Sequence, residues 1–187
     1  MAKQIKRVSG PKASDLWRTP SDCFAALNEE FMFGIDLAAD AENHLCDAWL
    51  GPGSPIAEDA LIYDWHDAFS RAGTDAGFLN MPYSQVERWM ALAVEMIARM
   101  RGCAIVTLVP YTPDVKWWRH TSAAVEIREI PHRVKYLRAD GKTAAGAMFP
   151  SAVVIFRPQP GVVSGGPRHV RWTWRTPKVQ AGELETR

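Results

Sequence analysis

The sequence predicts an α/β fold built on a mostly parallel sheet with antiparallel strands at one edge. Three observations carry this. An apolar segment at 77–80, a helical pattern at 84–100 and a second apolar segment at 103–109 alternate through the middle of the chain, as strand–helix–strand units do. The second apolar segment, Cys103-Ala104-Ile105-Val106-Thr107-Leu108-Val109, is continuous and rich in β-branched residues, which suits a strand covered on both faces. The chain has 187 residues, 47% of them hydrophobic and 23% charged, enough for one ordinary domain with a core that needs no staple.

The elements follow in order. Residues 1–14, with Lys3, Lys6, Arg7 and Lys12, read as a flexible basic arm, and 15–20 as a loop. A helix then begins, with Thr19 or Ser21 as cap and Pro20 in the first turn; Phe24, Leu27 and Phe31 give it one apolar face. Residues 33–39 read as a short buried strand ending in an acid and small residues, 45–50 as a second short strand or an irregular edge, and 51–55 (Gly-Pro-Gly-Ser-Pro) as a loop. Residues 60–65 are a strand or a turn. In the helix at 84–100, Val86, Trp89, Met90, Ala93, Val94, Ile97 and Met100 keep helical spacing. Trp117 and Trp118 fall in a short helix or loop, 125–130 and 133–137 read as strands, Asp140-Gly141 as a turn, and 151–156 as an apolar strand. Three Pro and three Gly fill 158–167, so 158–187 reads as a basic, flexible tail without its own core. The folded domain is therefore expected over 15–157.

Charge is unevenly placed. Residues 21–75 hold twelve acids and one base, whereas 76–187 hold sixteen bases and eight acids. A chain polarised this way can present a basic face to a polyanion while its acids point elsewhere. No run of about 18 uncharged apolar residues occurs, so no membrane span is expected. The N-terminus lacks the apolar stretch of a secretory signal. Three widely spaced cysteines read as reduced thiols. His44 and Cys46 lack a second pair at zinc-like spacing, so no metal site is expected.

The segment with most chemistry in it is Phe78-Leu79-Asn80-Met81-Pro82-Tyr83-Ser84. It ends a buried strand just before a helix, the place where open α/β sheets bind ligands. The side-chain oxygen of Asn80 and the carbonyl of Met81 are two acceptors, a match for the two hydrogens of an exocyclic amine. Tyr83 can stack on the ring that carries such an amine.

This segment resembles the Asn-Pro-Pro-Tyr motif of S-adenosylmethionine-dependent amino-methyltransferases acting on DNA. The ordered series around it is similar to the phage-type DNA N-6-adenine methyltransferases (Dam-like). The series runs Trp17-Arg18-Thr19-Pro20, Phe33-Gly34-Ile35-Asp36-Leu37-Ala38-Ala39 with Asn43, Asp59-Ala60-Leu61 and Trp65, Asn80-Met81-Pro82-Tyr83-Ser84, Leu108-Val109-Pro110, Trp117-Trp118, Arg133-Val134-Lys135-Tyr136 and 151–156. Met81 departs from the family's proline; the following Pro82 still confines Met81 to extended backbone. The Gly-rich loop of many methyltransferases is missing.

The resemblance implies a single Rossmann-like methyltransferase domain with helices on both faces, transferring a methyl group from S-adenosylmethionine to a flipped-out adenine in double-stranded DNA. Asn80, Met81, Pro82 and Tyr83 would be catalytic. Trp17, Thr19, Pro20, Asp36, Ala38, Ala39, Asn43, Asp59 and Asn80 would line the cofactor site, Asp36 holding the methionine ammonium. Arg128, Arg133, Lys135, Arg138 and Lys142 would meet DNA phosphates, helped by Arg168, Arg171, Arg175 and Lys178 beside Trp172 and Trp174. A phage or prophage protein, a monomer or weak dimer working in the bacterial cytoplasm, is expected. Two alternatives stay open: a catalytically impaired DNA-binding relative, and an amino-methyltransferase of cytosine or another amine or amide.

Overall fold

The computed structural model describes residues 12–144, 149–158 and 165–175. The basic arm up to residue 11 and the tail beyond Arg175, Lys178 included, lie outside the described residues. The elements are α1 (Ser21–Phe31), β1 (Ile35–Asp36), β2 (Ala48–Trp49), α2 (Trp65–Ala72), β3 (Ala76–Leu79), α3 (Val86–Arg99), β4 (Ala104–Pro110), β5 (Glu126–Ile130), β6 (Ser151–Phe156) and β7 (Arg168–Arg171). Short 3-10 helices cover Ala13–Leu16, Tyr83–Gln85 and Lys116–Ala123.

The strands form one sheet in the order β2-β1-β3-β4-β6-β5-β7. β1 pairs in parallel with β2 and β3, β3 with β4, and β5 with β7. Only β6 runs against its neighbours, β4 and β5. All the other strands therefore end at the same edge of the sheet. β1 leads outward to β2, and the chain then returns to the other side of β1 to form β3. This reversal makes the gap between β1 and β3 a topological switch point, where the carboxyl ends of flanking strands leave a crevice.

Alternating strand residues feed two cores. Leu27 and Phe31 of α1 pack with Phe78, Val106, Leu108, Val153 and Ile155 on one face. Trp65 and Phe69 of α2 and Trp89, Met90 and Ile97 of α3 pack with Ile35, Leu79, Ile105, Val109 and Val154 on the other. Helices thus cover both faces, and every residue of β3, β4 and β6 is buried, as a continuous apolar strand requires. Each fully buried Leu, Ile or Phe contributes about 1.5–3 kcal/mol of transfer free energy.

Several elements differ from the sequence reading. Residues 60–63 are turn, one of the two readings for that stretch, but Trp65 starts helix α2, which the sequence reading did not place. Asp64 caps it by accepting from the His66 N–H at 2.9 Å, and Trp65, Ala68, Phe69 and Ala72 keep the i, i+3, i+4, i+7 spacing of a buried helical stripe. Helix α1 is preceded by Pro20 in the N-cap position, with neither Thr19 nor Ser21 bonding a free N–H there. Residues 133–137 are not a ladder strand. Their side chains do alternate, with Val134 and Tyr136 buried and Arg133 and Lys135 exposed. Their backbone, however, meets single bridges only, from Leu137 to Arg18 and to Thr143. The second bridge closes a hairpin over Asp140-Gly141, where Gly141 takes φ 74°, so that turn is where the sequence placed it. Residues 168–171, assigned to the tail from sequence, add β7 alongside β5, and Trp172 and Trp174 pack against the α1-side core.

Candidate active site

Asn80 emerges at the tip of β3, beside the end of β1, because Asp36 and Phe78 are register partners. The strap of residues 12–20 crosses over this edge and is fixed to it at three points. Asp15 accepts hydrogen bonds from the backbone N–H of Ser84 at 2.8 Å and of Lys12 at 3.0 Å. Arg18 and Leu137 exchange both backbone bonds, at 2.8 and 2.9 Å. Trp17 stacks on Tyr136, with ring centroids 5.4 Å apart. Thr19, buried at the end of the strap, accepts a hydrogen bond from the amide nitrogen of Asn80 at 2.9 Å. In this arrangement the Asn80 amide oxygen has no partner among the described residues.

A cleft of about 220 Å³ opens beside this tip. Trp17, Ala38, Ala39, Asn43, Asp59, Asn80 and Pro82 line it, seven residues that the sequence reading placed in the site. Others went unread: Asp15, Asp40, Leu50, Gly51, Glu58 and Trp89 also form its wall. Gly51 explains how the cleft closes at the bottom. Its φ is 132°, and a Cβ there would lie 2.0 Å from the Ala39 carbonyl oxygen. Only glycine permits this approach, which lets the Ala39 N–H bond to the Leu50 carbonyl at 3.1 Å. The small residues Ala38 and Ala39 and this one glycine bring backbone close to the cleft wall. The only sequence signal for Gly51 was the Gly-Pro-Gly-Ser-Pro loop itself.

Asp36 sits below the cleft. Its carboxylate accepts from the N–H groups of Ala38 at 3.3 Å and Leu45 at 3.2 Å and so pins the loop that carries Asn43. It borders a narrow recess shared with Thr19, Asn43 and Asn80. Burial pushes its carboxyl up to about 6, against the pull of those two N–H groups. Asn43 accepts from the Asp40 N–H at 2.8 Å, and Asp59 from the Leu61 N–H at 2.8 Å, so the backbone orients both side chains.

Other candidates lie apart from the cleft. Pro20, the last residue of the strap, is buried and lines neither cavity. The Met81 side chain is 2% exposed and packs into the α3-side core, and its carbonyl accepts no hydrogen bond among the described residues. Tyr83 donates its hydroxyl to that of Tyr136 at 2.6 Å, which lies 3.3 Å from the Ser151 hydroxyl. The Tyr83 ring meets Tyr136 and Phe149 edge-on. Burial first, and the Tyr136 hydroxyl with it, hold its phenol well above the usual range. Tyr83 thus buttresses the motif from behind.

Of the bases read as DNA contacts, Arg133, Lys135, Arg138 and Lys142 are exposed on the 133–142 hairpin; Arg138 pairs with Asp140 at 2.7 Å. Arg128 is not among them. It is 8% exposed, donates to both Glu30 oxygens at 2.6 Å and to Glu126 at 2.5 Å, and lies over the Phe31 ring. A guanidinium so engaged ties α1 to β5. Trp174 donates to Asp22 at 2.8 Å, and Arg168 pairs with Glu126 at 3.4 Å. Among the described residues no cluster of three or more His, Cys, Asp or Glu side chains is placed to hold a metal, and no helix is long and apolar enough to cross a membrane.

A mostly parallel sheet with its cleft at the switch point, and a strand tip bearing a fixed amide, is the arrangement of a Rossmann-like methyltransferase fold. The DNA N-6-adenine-methyltransferase (Dam) family model matches residues 10–170, and the chain belongs to that family. No curated protein matches it significantly.

Proposed function

We propose that this chain methylates the exocyclic amine of an adenine swung out of duplex DNA, with S-adenosylmethionine as methyl donor. The observation that carries the reading is the Asn80 tip: its amide nitrogen pairs with Thr19, and its oxygen, at the cleft wall, has no partner among the described residues; the neighbouring Met81 carbonyl would be the second acceptor. An aromatic amine is a weak nucleophile because its lone pair is delocalised into the ring. Two acceptors on its hydrogens favour a tetrahedral nitrogen and take up positive charge as it develops, the kind of preorganised electrostatics that lowers barriers most.

The cleft suits the donor in its chemistry. Trp17, Leu50 and Trp89 offer apolar walls, Asn43 and Asp59 offer oriented acceptors for a nucleoside, and all the ionisable side chains in its lining are acids. When bound, S-adenosylmethionine supplies an electrophilic methyl group. The chain's own part is to hold that ligand with 36–43 and 58–60, to fix the amine with Asn80 and Met81, and to keep the two together under the strap. The exposed bases of 133–142 would neutralise DNA phosphates, and extrusion of the base costs a few kcal/mol.

The test is transfer of labelled methyl groups to unmethylated duplex DNA, followed by nucleoside digestion and mapping of modified positions. N6-methyladenine is the expected product. Asn80→Ala should abolish transfer while donor binding persists. Methylated cytosine, or near-normal turnover by Asn80→Ala, would overturn the assignment.

A further inference from the structure

We infer that Leu16 is a wedge: it enters the base stack of duplex DNA at the target step and fills the place that the adenine leaves. This rests on the methylation reading above and deepens it by naming a positioning residue for base extrusion. Leu16 ends the short 3-10 helix of the strap and is 59% exposed. The residues on both sides of it are tied down. Asp15 accepts from the Ser84 N–H at 2.8 Å, Trp17 stacks on Tyr136, and Arg18 exchanges two backbone bonds with Leu137. The leucine is thus a bare apolar knob on a braced segment, and a preorganised segment loses little freedom on binding. It lies on a groove of about 380 Å³ formed with Trp17 and the hairpin tip, Arg138, Ala139 and Asp140. Trp17 also lines the cleft that holds Asn80. Leu16 is therefore next in the chain to a side chain that reaches the proposed amine site.

The charge around this knob suits a polyanion. The strap over 12–18 and the hairpin over 133–142 hold six bases, Lys12, Arg18, Arg133, Lys135, Arg138 and Lys142, against two acids, Asp15 and Asp140. Both acids are engaged, Asp15 by the Lys12 and Ser84 N–H groups and Asp140 by Arg138 at 2.7 Å. Glu42 adds a third acid, 3.5 Å from Arg18. The other exposed large apolar residues among those described, Met32, Ile62 and Val115, line neither the cleft nor the groove. Met32 follows Glu29 and Glu30, and Ile62 falls between Asp59 and Asp64, so like charge keeps both from phosphates. Apolar side chains that enter between base steps part the stack at a cost of a few kcal/mol and hold the distortion open. A hydrocarbon knob in the gap touches the flanking bases and must be displaced before the adenine can return. Such a wedge acts on extrusion alone, so its effect shrinks when pairing at the target is already weak.

The experiment uses the full chain and a short duplex that carries one adenine mapped as methylated. That adenine is placed opposite thymine, opposite cytosine or opposite an abasic site. Single-turnover transfer by Leu16→Ala is compared with the unaltered chain on each duplex. The variant should be about tenfold slower on the paired duplex and within about threefold on the two weakened ones. Leu16→Met keeps an apolar side chain of similar volume and should stay near the unaltered rate on all three. Calorimetric affinity for S-adenosylmethionine should be the same for both variants. The position is exposed, so denaturant melts should match those of the unaltered chain. Equal slowing on all three duplexes, or no slowing on the paired one, overturns the wedge and leaves the methylation reading intact. Absence of adenine methylation by the unaltered chain overturns that reading, and the wedge with it.

Discussion

Thr19 accepts the amide N–H of Asn80 at 2.9 Å across 61 residues of sequence. In this pairing the Asn80 amide oxygen is left without a partner among the described residues. Without this bond, the amide can turn its NH₂ toward a substrate amine, presenting a donor where an acceptor is needed. Thr19→Val keeps shape and removes the acceptor. The expected outcome is a fall in the methyl-transfer rate of about 10²-fold, the scale of losing one oriented polar group in an active site, with donor affinity changed little. Single-turnover rates beside calorimetric affinities check it. Equal loss in both would mean that Thr19 serves the cleft's shape instead.

Asp15 ties the strap to the motif through the Ser84 N–H at 2.8 Å. Burial raises its carboxyl, but the hydrogen bonds from Ser84 and Lys12 outweigh this and hold it below the usual range. Asp15→Ala removes both acceptances and should free the strap at its start, while the Arg18–Leu137 bridge keeps the far end in place. Hydrogen exchange at the Ser84 amide should quicken about tenfold, which corresponds to a local bond worth about 1–1.5 kcal/mol. Unchanged protection at Ser84 would show that the strap is held by Trp17 and Arg18 alone.

Much of this site was legible in the sequence, and the unread part has a common cause. Asn80, Pro82, Asn43 and Asp59, singled out because the strand-end motif and its ordered neighbours are local patterns, line one cleft. Trp89 was read as core, correctly by its spacing, yet its ring also forms the cleft wall. Asp15 and Asp40 are ordinary polar residues until folding brings them to one rim. Arg128 shows the reverse case. It was grouped with Arg133, Lys135, Arg138 and Lys142 because the five crowd into fifteen residues, although Glu126 and Glu129 flank it. Its partner Glu30 lies 98 residues away, and no linear pattern reports that pair. The strand expected at 133–137 failed for a similar reason: the alternation was real, but the backbone partner is the strap at Arg18.

Asp36 gives a pH dependence whose sign separates two roles. In the folded chain its carboxyl lies at about 6, above the value of about 3.9 expected when unfolded. Folding therefore favours the protonated form. The stability it contributes is complete below about pH 4 and is lost as pH rises through about 6. The melting temperature of the free protein should rise as pH drops from 7.5 to 5.5, and Asp36→Asn should flatten that rise. Donor binding should run the opposite way, weakening on acidification through about 6, if the ionised carboxylate holds an ammonium group. Thermal denaturation with and without donor across this range measures both. A melting temperature that falls steadily toward pH 5.5 contradicts the buried carboxyl's assignment.

Arg133 and Lys135 should act on DNA, and Arg128 on the fold. The first two project from an extended segment whose alternate residues, Val134 and Tyr136, anchor it in the core, and neither has an ion-pair partner among the described residues. Each should remove about 0.9 from the slope of log affinity against log salt when changed to Ala, with stability shifted by less than about 0.5 kcal/mol, as is usual for surface sites. Arg128→Ala instead leaves Glu126, whose side chain is 16% exposed, with Arg168 at 3.4 Å in place of two partners, and breaks the clamp between α1 and β5. A cost of about 1.5–3 kcal/mol is expected from the lost charged hydrogen bonds, reduced on the Glu30 side by solvent. Its DNA salt slope, measured below the melting transition, should match that of the unaltered chain. Nonspecific duplex binding at several salt concentrations, paired with denaturant melts, makes the comparison. A reduced slope for Arg128→Ala would return that residue to the DNA surface, and it would mean that the Glu30 pair opens when DNA arrives.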